Sequence, residues 1–293
     1  MSRSKRLSAP ITEAAPARTA PPWLRPLLAM LVYALATVAV RLGLGAGLRA
    51  LLSAWNVNAE TVSRAPGWAR ALYVWQGSLV TLAVCTVSVA LALFAFRAQL
   101  PVPKLRPTAV GWLVGTGAAL GSAALFLLTD SLRSEWVLPR LSPGLALLWL
   151  LSLLTALSEE LFTKGVLLES VKRSWGTALA ALAFFLTHGG TSGTVISGVN
   201  VALMGLAFAL IYLRFGLWAD VALRWGWSFA TVFLLGQGGG SWSVWRLYGV
   251  SETLLTGGDA GFVYGLWLTL LLVAVPSVIF LPRKKRAYAT GAP

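Results

Sequence analysis

Residues 142–168 read SPGLALLWLLSLLTALSEELFTKGVLL, an apolar run that could cross a membrane but contains Glu159, Glu160 and Lys164. A helix rises about 1.5 Å per residue, so about 20 apolar residues span a hydrocarbon core of roughly 30 Å. An ionisable side chain at the middle of such a span costs roughly 2.5–3.5 kcal/mol and normally faces protein or a water-filled cavity. This stretch therefore predicts a transmembrane helix that carries part of a polar site.

Seven further apolar runs accompany this one and define the class of the protein. The eight runs are 27–48, 71–96, 109–129, 142–168, 175–190, 195–213, 216–236 and 261–281. Of the 293 residues, 57% are apolar and 12% are charged, whereas soluble domains carry about 25% charged residues. We therefore predict an all-α, polytopic membrane helix bundle of about eight transmembrane helices, with the lipid bilayer as its solvent.

The basic residues indicate the orientation of these helices. A net charge of +14 could suit a nucleic-acid partner, but the Lys and Arg residues lie mainly between the apolar runs. If the N-terminus is cytoplasmic, the inner segments carry 15 Lys and Arg residues and the outer segments carry six. Because positive charge collects on the cytoplasmic side, we predict that both termini are cytoplasmic. We expect a multi-pass protein of the bacterial inner (plasma) membrane that binds no nucleic acid.

Composition divides the chain into four predicted parts. Residues 1–22 form a disordered basic tail, because they are rich in Ala, Pro, Ser and Arg and lack apolar periodicity. Residues 23–140 form the N-terminal transmembrane helices, and residues 141–236 form the core helices that carry the site. Residues 237–293 supply an outer loop, the last transmembrane helix and a basic C-terminal tail.

Polar residues in four of the predicted spans fall within one slab of the membrane. They are Glu159, Glu160, His188, Asn200, Arg224 and Ser228. At 1.5 Å per residue, the glutamates, the histidine and the arginine lie about 12–20 Å from the inner ends of their spans. A shared polar cavity is the simplest explanation for this common depth.

The spacing of the charged residues separates their predicted roles. Successive helical residues point about 100° apart, so Glu159 and Glu160 cannot do the same job. Lys164 lies four residues after Glu160, one helical turn away, and can pair with it. The glutamates could also merely neutralise Lys164 and Arg224, and a lone histidine on an apolar helix is more often a packing residue.

A proton-coupled transporter would also need ionisable residues inside its membrane spans. Transporters of that kind are commonly built from internal repeats with corresponding polar breaks in the two halves. No such repeat is visible, and the first half of the chain has only Arg41 as a clearly buried charge. Transport is therefore the lowest-ranked interpretation.

Three motifs resemble those of the CAAX protease and bacteriocin-processing (CPBP) family of intramembrane endopeptidases. They are SEELFTKG at 158–165, FFLTH at 184–188 and LRWGWSF at 223–229. The corresponding family patterns are Glu-Glu-x-x-x-Arg, Phe-x-x-x-His and His-x-x-x-Asn. The resemblance extends over residues 142–236, and the second motif matches in full.

The first and third motifs depart from the family pattern. Lys164 replaces the arginine, which keeps the charge but loses the bidentate fork. Arg224 replaces the second histidine and, because it stays protonated, cannot act as a base or bind a metal. Ser228 replaces the asparagine.

The resemblance implies that a glutamate activates a water molecule to attack a peptide bond. By position, Glu159 would be the general base, Glu160 a supporting carboxylate tied to Lys164, and His188 a group that orients the water or donates a proton. The substrate would be a peptide or protein, prenylated or a leader peptide, that enters from the membrane or the cytoplasmic side. No cofactor is implied, and no metal is expected because the adjacent glutamates diverge on a helix.

Arg224 leaves two functions open. As a fixed cation it could stabilise an oxyanion, with Ser228 as a weaker donor and Asn200 as a further supporting residue. It could equally form a salt bridge with Glu159 and leave that carboxylate a poor base. The chain would then be a catalytically impaired family member that acts as a membrane binding, scaffold or immunity-type protein.

Overall fold

The computed structural model describes most of the chain in separate ranges. They are 24–128, 132–136, 143–169, 173–188, 195–236, 244–249, 265–266 and 268–273. The predicted disordered tail at 1–22, the basic C-terminal tail and most of the predicted last span at 261–281 lie outside these ranges.

Seven helices with defined bounds and two short strands make up most of the described structure, and residues 268–273 are helical as well. In chain order they are α1 (Leu24–Ala54), α2 (Gly67–Ala90), α3 (Leu105–Leu128), β1 (Leu132–Trp136), α4 (Pro143–Glu160), α5 (Arg173–His188), α6 (Val195–Phe215), α7 (Leu217–Phe229) and β2 (Trp245–Gly249). Three helices continue directly into π-helical segments: α2 into Leu91–Ala95, α4 into Leu161–Leu168 and α7 into Ala230–Leu234. A short 3-10 turn, Val62–Arg64, lies between α1 and α2.

Five helices in the described ranges are long and apolar enough to cross a bilayer. They are Pro26–Ala54, Gly67–Ala95, Leu105–Leu128, Ala146–Leu168 and Val195–Phe215. Helix α5 contributes a shorter apolar helix, Trp175–Leu186. The all-α class and the membrane character of the chain are thus confirmed, while the count of eight spans and the orientation of the termini stay predictions.

Helix α4 and the π-helical segment that follows it lie at the centre of the bundle. Helix α4 packs on α2 and α7, and the π-helical segment after it contacts α1, α5 and α7. Leu161 and Leu167 in that segment are fully buried, and Phe162 is nearly so. Helices α1, α5 and α7 therefore meet around the residues that follow the two glutamates.

Helices α3 and α7 are held together by backbone contact. A Cβ atom added at Gly115 would lie 1.9 Å from the Leu223 carbonyl oxygen, and one at Gly111 would lie 2.3 Å from that of Ala219. On α7, Gly226 approaches the Trp112 carbonyl in the same way, at 2.3 Å. Small residues spaced four apart allow such close approach between membrane helices. The contact fixes α7, which carries the third motif, against the bundle.

The structure also contains a pair of strands in segments that the sequence analysis assigned to loops. Strands β1 and β2 pair antiparallel, with Trp136 opposite Trp245 and Glu135 opposite Arg246. The two tryptophan rings meet edge to face with centroids 4.9 Å apart. Four helices, α4 to α7, lie between the strands in sequence. The pairing joins two segments that are far apart in sequence, and no local sequence pattern predicts such a contact.

The α3–α7 contact predicts a sharp difference between two glycines on one helix. Gly115→Ala should lower the free energy of unfolding by about 1–3 kcal/mol, since the new methyl group would overlap the α7 backbone. Gly117→Ala is the matched control, because a Cβ there meets nothing within 4 Å. Reversible unfolding in mixed detergent micelles measures both. Equal stabilities of the two variants would contradict the packing described here.

Candidate functional site

The two glutamates are the last residues of α4, at the point where the π-helical segment begins. The Glu160 side chain is fully buried, whereas the Glu159 side chain keeps 20% of its surface exposed. The Thr163 hydroxyl donates a hydrogen bond to the Glu159 carbonyl oxygen at 2.7 Å. A π-turn inside a membrane helix is rare and often marks a functional site. Here the π-helical segment begins directly after two adjacent glutamates, of which one side chain is fully buried and the other keeps exposed surface.

Lys164 pairs with Glu160, as the spacing of the motif predicts. The Lys164 ammonium group donates a hydrogen bond to Glu160 Oε2, and both side chains are fully buried. The ammonium nitrogen also lies 5.7 Å from the centre of the Phe208 ring on α6, in the geometry of a cation–π contact. Lys164 thus balances the closed carboxylate inside the bundle.

Arg224 joins both glutamates through one guanidinium group. Its Nη1 atom donates to Glu160 Oε1 at 3.0 Å, and its Nη2 atom forms an ion pair with Glu159 Oε2. The planar fork of arginine suits such a bridge between two carboxylates. Adjacent glutamates that point apart on a helix are therefore tied to a single cation.

The second motif meets the third at this cation. The Phe184 ring of α5 lies 4.6 Å from Arg224 Cζ, and the Phe208 ring lies 5.9 Å away. These rings cover the guanidinium group and limit its contact with water. The motifs on α4, α5 and α7 therefore converge at Arg224, as the common depth of the polar residues predicts.

Asp220 is the member of the site that sequence analysis missed. It is fully buried on α7, one turn before Arg224, and its Oδ2 atom lies 3.7 Å from Lys164 Nζ. Its carboxyl group also faces that of Glu160. The sequence feature that could have revealed Asp220 is its spacing of four residues from Arg224, which places both side chains on one face of a helix.

The five ionisable side chains form one charge cluster, which consists of Glu159, Glu160, Lys164, Asp220 and Arg224. The two cations pair with Glu159 and Glu160, and the Asp220 carboxyl group shares a hydrogen bond with Glu160 that requires a proton on one of the two. Removing such groups from water is costly unless they pair with each other. Of the three acidic side chains in this cluster, Glu159 alone keeps exposed surface, although its Oε2 atom, which pairs with Arg224, is buried.

The remaining predicted site residues lie on the neighbouring helices. Ser228 is half-buried on α7, one turn after Arg224. His188 is the last residue of α5, and its side chain lies outside what the structure describes. Asn200 is fully buried on α6, donates to the Gly265 carbonyl at 2.9 Å and accepts from the Thr269 hydroxyl at 2.5 Å. These two hydrogen bonds connect α6 to Gly265 and Thr269.

The described side chains do not form a metal site. Apart from His188, whose side chain is not described, no three His, Cys, Asp or Glu side chains in the described ranges are placed to share one ion. Lys164 and Arg224 instead supply positive charge between the carboxylates. This arrangement can hold a polar substrate group or a water molecule, with Glu159 as proton acceptor.

The cluster predicts that Glu160 contributes strongly to stability. Glu160→Gln removes the carboxylate shared by Lys164 and Arg224, and breaking a buried ion pair typically costs about 3–5 kcal/mol. Glu169→Gln is the control, because that exposed carboxylate accepts one hydrogen bond from Tyr212. It should cost about 1 kcal/mol or less. Unfolding in mixed micelles would refute the arrangement if both substitutions had the same effect.

Comparison with known proteins finds one family that is similar to the stretch that holds this cluster. A search of curated proteins gives no match, and a search of solved structures gives none. Residues 141–230 match the family model described as Type II CAAX prenyl endopeptidase Rce1-like. The match contains the three motifs and all members of the charge cluster. The family resemblance drawn from the motifs is thus confirmed over residues 141–230, and it is to the Rce1-like type II CAAX prenyl endopeptidases.

Proposed function

We propose that the chain is an intramembrane endopeptidase in which Glu159 activates water to hydrolyse a peptide bond. The observation that carries this proposal is the charge cluster, in which Glu159 alone keeps a substantial exposed surface. The match to a family of endopeptidases over residues 141–230 supports it. The substrates are membrane-associated peptides, including leader peptides or prenylated C-terminal tails.

The cluster accommodates an arginine in the third motif by pairing it with both glutamates. Arg224 bonds Glu160 Oε1 and pairs with Glu159 Oε2, so the added cation lies between two carboxylates. Lys164 pairs with Glu160 and lies 3.7 Å from Asp220 Oδ2. The two cations thus face Glu159 and Glu160, while Asp220 shares a hydrogen bond with Glu160 that requires a proton on one of the two carboxyl groups.

Of these carboxyl groups, that of Glu159 is best placed to act as a general base. Glu160 and Asp220 are fully buried and face Lys164, whereas the Glu159 side chain is 20% exposed. A general base must reach the water from which it takes the proton. We assign Glu159 as this base and Glu160 as the carboxylate that positions Lys164 and Arg224. His188, four residues after Phe184 on α5, orients the water, and Ser228 and Asn200 support the surrounding helices.

The reaction then follows from these positions. Water adds to the carbonyl carbon while Glu159 takes one of its protons, and the carbonyl oxygen becomes an oxyanion. The carbon–nitrogen bond then breaks, and Glu159 returns the proton to the departing amine. Arg224 keeps the Glu159 carboxylate fixed beside the reacting water. No cofactor enters this scheme.

The strand pair supports one part of the proposed topology of eight spans with both termini in the cytoplasm, namely an even number of crossings between β1 and β2. Paired strands lie on one side of the membrane, so the chain between β1 and β2 crosses an even number of times. Four helices, α4 to α7, occupy that stretch. We place the strand pair on the outer face of the bacterial inner membrane. The proposed division of the chain into four parts, with boundaries after residues 22, 140 and 236, is kept. The substrate enters from the membrane or the cytoplasm.

Substitution of the proposed base tests the chemistry directly. Glu159→Gln should lower kcat by about 10²–10⁴-fold, because the amide cannot accept the proton from water. The assay uses purified protein in lipid nanodiscs with a panel of fluorogenic peptides, with and without a prenyl group. Glu169→Gln removes a carboxylate outside the cluster and should keep parental activity. Unchanged cleavage by Glu159→Gln would eliminate this residue as the base.

A double-mutant cycle tests whether Asp220 and Arg224 act together. Arg224→His removes the cation that Glu159 and Glu160 share, and Asp220→Asn removes the carboxyl group that bonds Glu160, so each should lower stability and kcat. Because both residues contact Glu160, the unfolding free energy of the double variant should differ from the additive expectation by about 1–3 kcal/mol. Additive losses would show that the two residues are not coupled.

The impaired-relative alternative gives a different pattern in the same assay. If the parent chain cleaves no peptide but Arg224→His with Ser228→Asn does, the natural protein is a binding or scaffold member of the family. Activity in the parent excludes that alternative. The assay therefore separates the two functions that Arg224 left open.

A further inference from the structure

Helix α1 lies outside the family match but contributes a polar side chain to the proposed site. Most of α1 faces away from the protein, while Ala29, Tyr33 and Thr37 lie along one face at intervals of four residues. Ala29 is fully buried and Thr37 is 9% exposed. Tyr33, midway between them, packs into the core around the π-helical segment of α4.

The position of the Tyr33 ring is fixed by a stacking contact. It lies on the Phe162 ring with the two centroids 3.8 Å apart and the planes inclined by 15°. Phe162 is three residues after Glu159, so the two occupy neighbouring positions on the same helical surface. The stack therefore holds the phenol beside the proposed base.

The Tyr33 hydroxyl group faces polar side chains on both sides. It lies within hydrogen-bonding reach of Ser88 on α2 and interacts electrostatically with Glu159 and Arg224. The Ser88 hydroxyl donates to the Val84 carbonyl at 2.7 Å and lies beside the Tyr33 hydroxyl. Ser88 thus helps to hold the phenol hydroxyl in place.

Arg224 does not fill the role that this hydroxyl could take. Two of its nitrogens are engaged with Glu159 and Glu160, and the Phe184 ring lies over the guanidinium group. A guanidinium group that already bonds two carboxylates is poorly placed to donate a hydrogen bond to an oxyanion that forms elsewhere. The tetrahedral intermediate of peptide hydrolysis needs such a donor for its oxyanion.

We propose that Tyr33 is a catalytic residue whose hydroxyl group donates a hydrogen bond to the oxyanion formed when the Glu159-activated water attacks the peptide. This inference rests on the proposed function. Water forms the new carbon–oxygen bond, Glu159 takes the proton, and the carbonyl electrons move to the oxygen that Tyr33 contacts. When the carbon–nitrogen bond breaks, those electrons return to form the carbonyl group, and the hydrogen bond from Tyr33 to its oxygen weakens.

The test is Tyr33→Phe, which keeps the ring on Phe162 and removes only the oxygen. We expect kcat to fall by about 10²-fold, as for loss of an oxyanion donor, with KM changed by less than about twofold. Tyr212→Phe is the matched control, because it removes a hydroxyl that bonds Glu169. It should leave kcat and KM at parental values. Ser88→Ala, which loosens the Tyr33 hydroxyl without removing it, should give a smaller loss of kcat.

A binding measurement makes the inference independent of turnover. The probe is a phosphinic analogue of the best-cleaved peptide, or of a farnesylated C-terminal tetrapeptide if none is cleaved. Its tetrahedral oxygens imitate the oxyanion, so Tyr33→Phe should bind it at least about tenfold more weakly than the parent does. A reduced-amide peptide of the same sequence lacks that charge and should bind both proteins equally.

The outcomes separate the two proposals. Cleavage by the parent and unchanged kcat in Tyr33→Phe would overturn the role of Tyr33 and leave the endopeptidase standing. No cleavage with Tyr33-dependent phosphinate binding would support the donor and overturn hydrolysis. No cleavage and no phosphinate binding would overturn both, and binding that is equal in parent and variant would overturn the role of Tyr33.

Discussion

The fold around the site depends on the requirement that charges inside a membrane protein nearly cancel. Transfer of one unpaired charged group from water into such an interior is costly, and the cost is recovered only when opposite charges and hydrogen bonds surround it. Glu160, Lys164 and Asp220 are fully buried, so each must lie beside the others. That requirement draws α4 and α7 together and explains why the motifs lie at one depth.

The glycine contact between α3 and α7 works together with this balance. Charge pairs act over several ångströms and tolerate small shifts, whereas the approach of Gly115 to the Leu223 carbonyl tolerates none. The backbone contact therefore sets where α7 lies, and the ion pairs set which of its faces points inward. Asp220 and Arg224, one turn apart on that face, arrive at the glutamates together.

Much of the site could be predicted because its residues are conspicuous in their surroundings. Carboxylates and a lysine in an apolar run mark the α4 part, and a spacing of four residues predicts the Lys164–Glu160 pair. Asp220 was missed because an acidic residue in the first turn of a helix usually serves the helix dipole. Tyr33 was missed because tyrosine is ordinary in a membrane helix. Both omissions concern contacts between helices, which local patterns do not encode.

The tight seam between α3 and α7 also constrains how a molecule approaches the charge cluster. Where a single methyl group finds no room, neither a lipid chain nor an extended peptide passes. Beside that seam, however, an apolar cavity of about 460 Å³ lies between α3, α6 and α7, and its lining includes Gly111, Gly115 and Phe208. The Phe208 ring also lies 5.7 Å from Lys164 Nζ and 5.9 Å from Arg224 Cζ. An apolar chain in this cavity would therefore lie next to the cluster without separating α3 from α7.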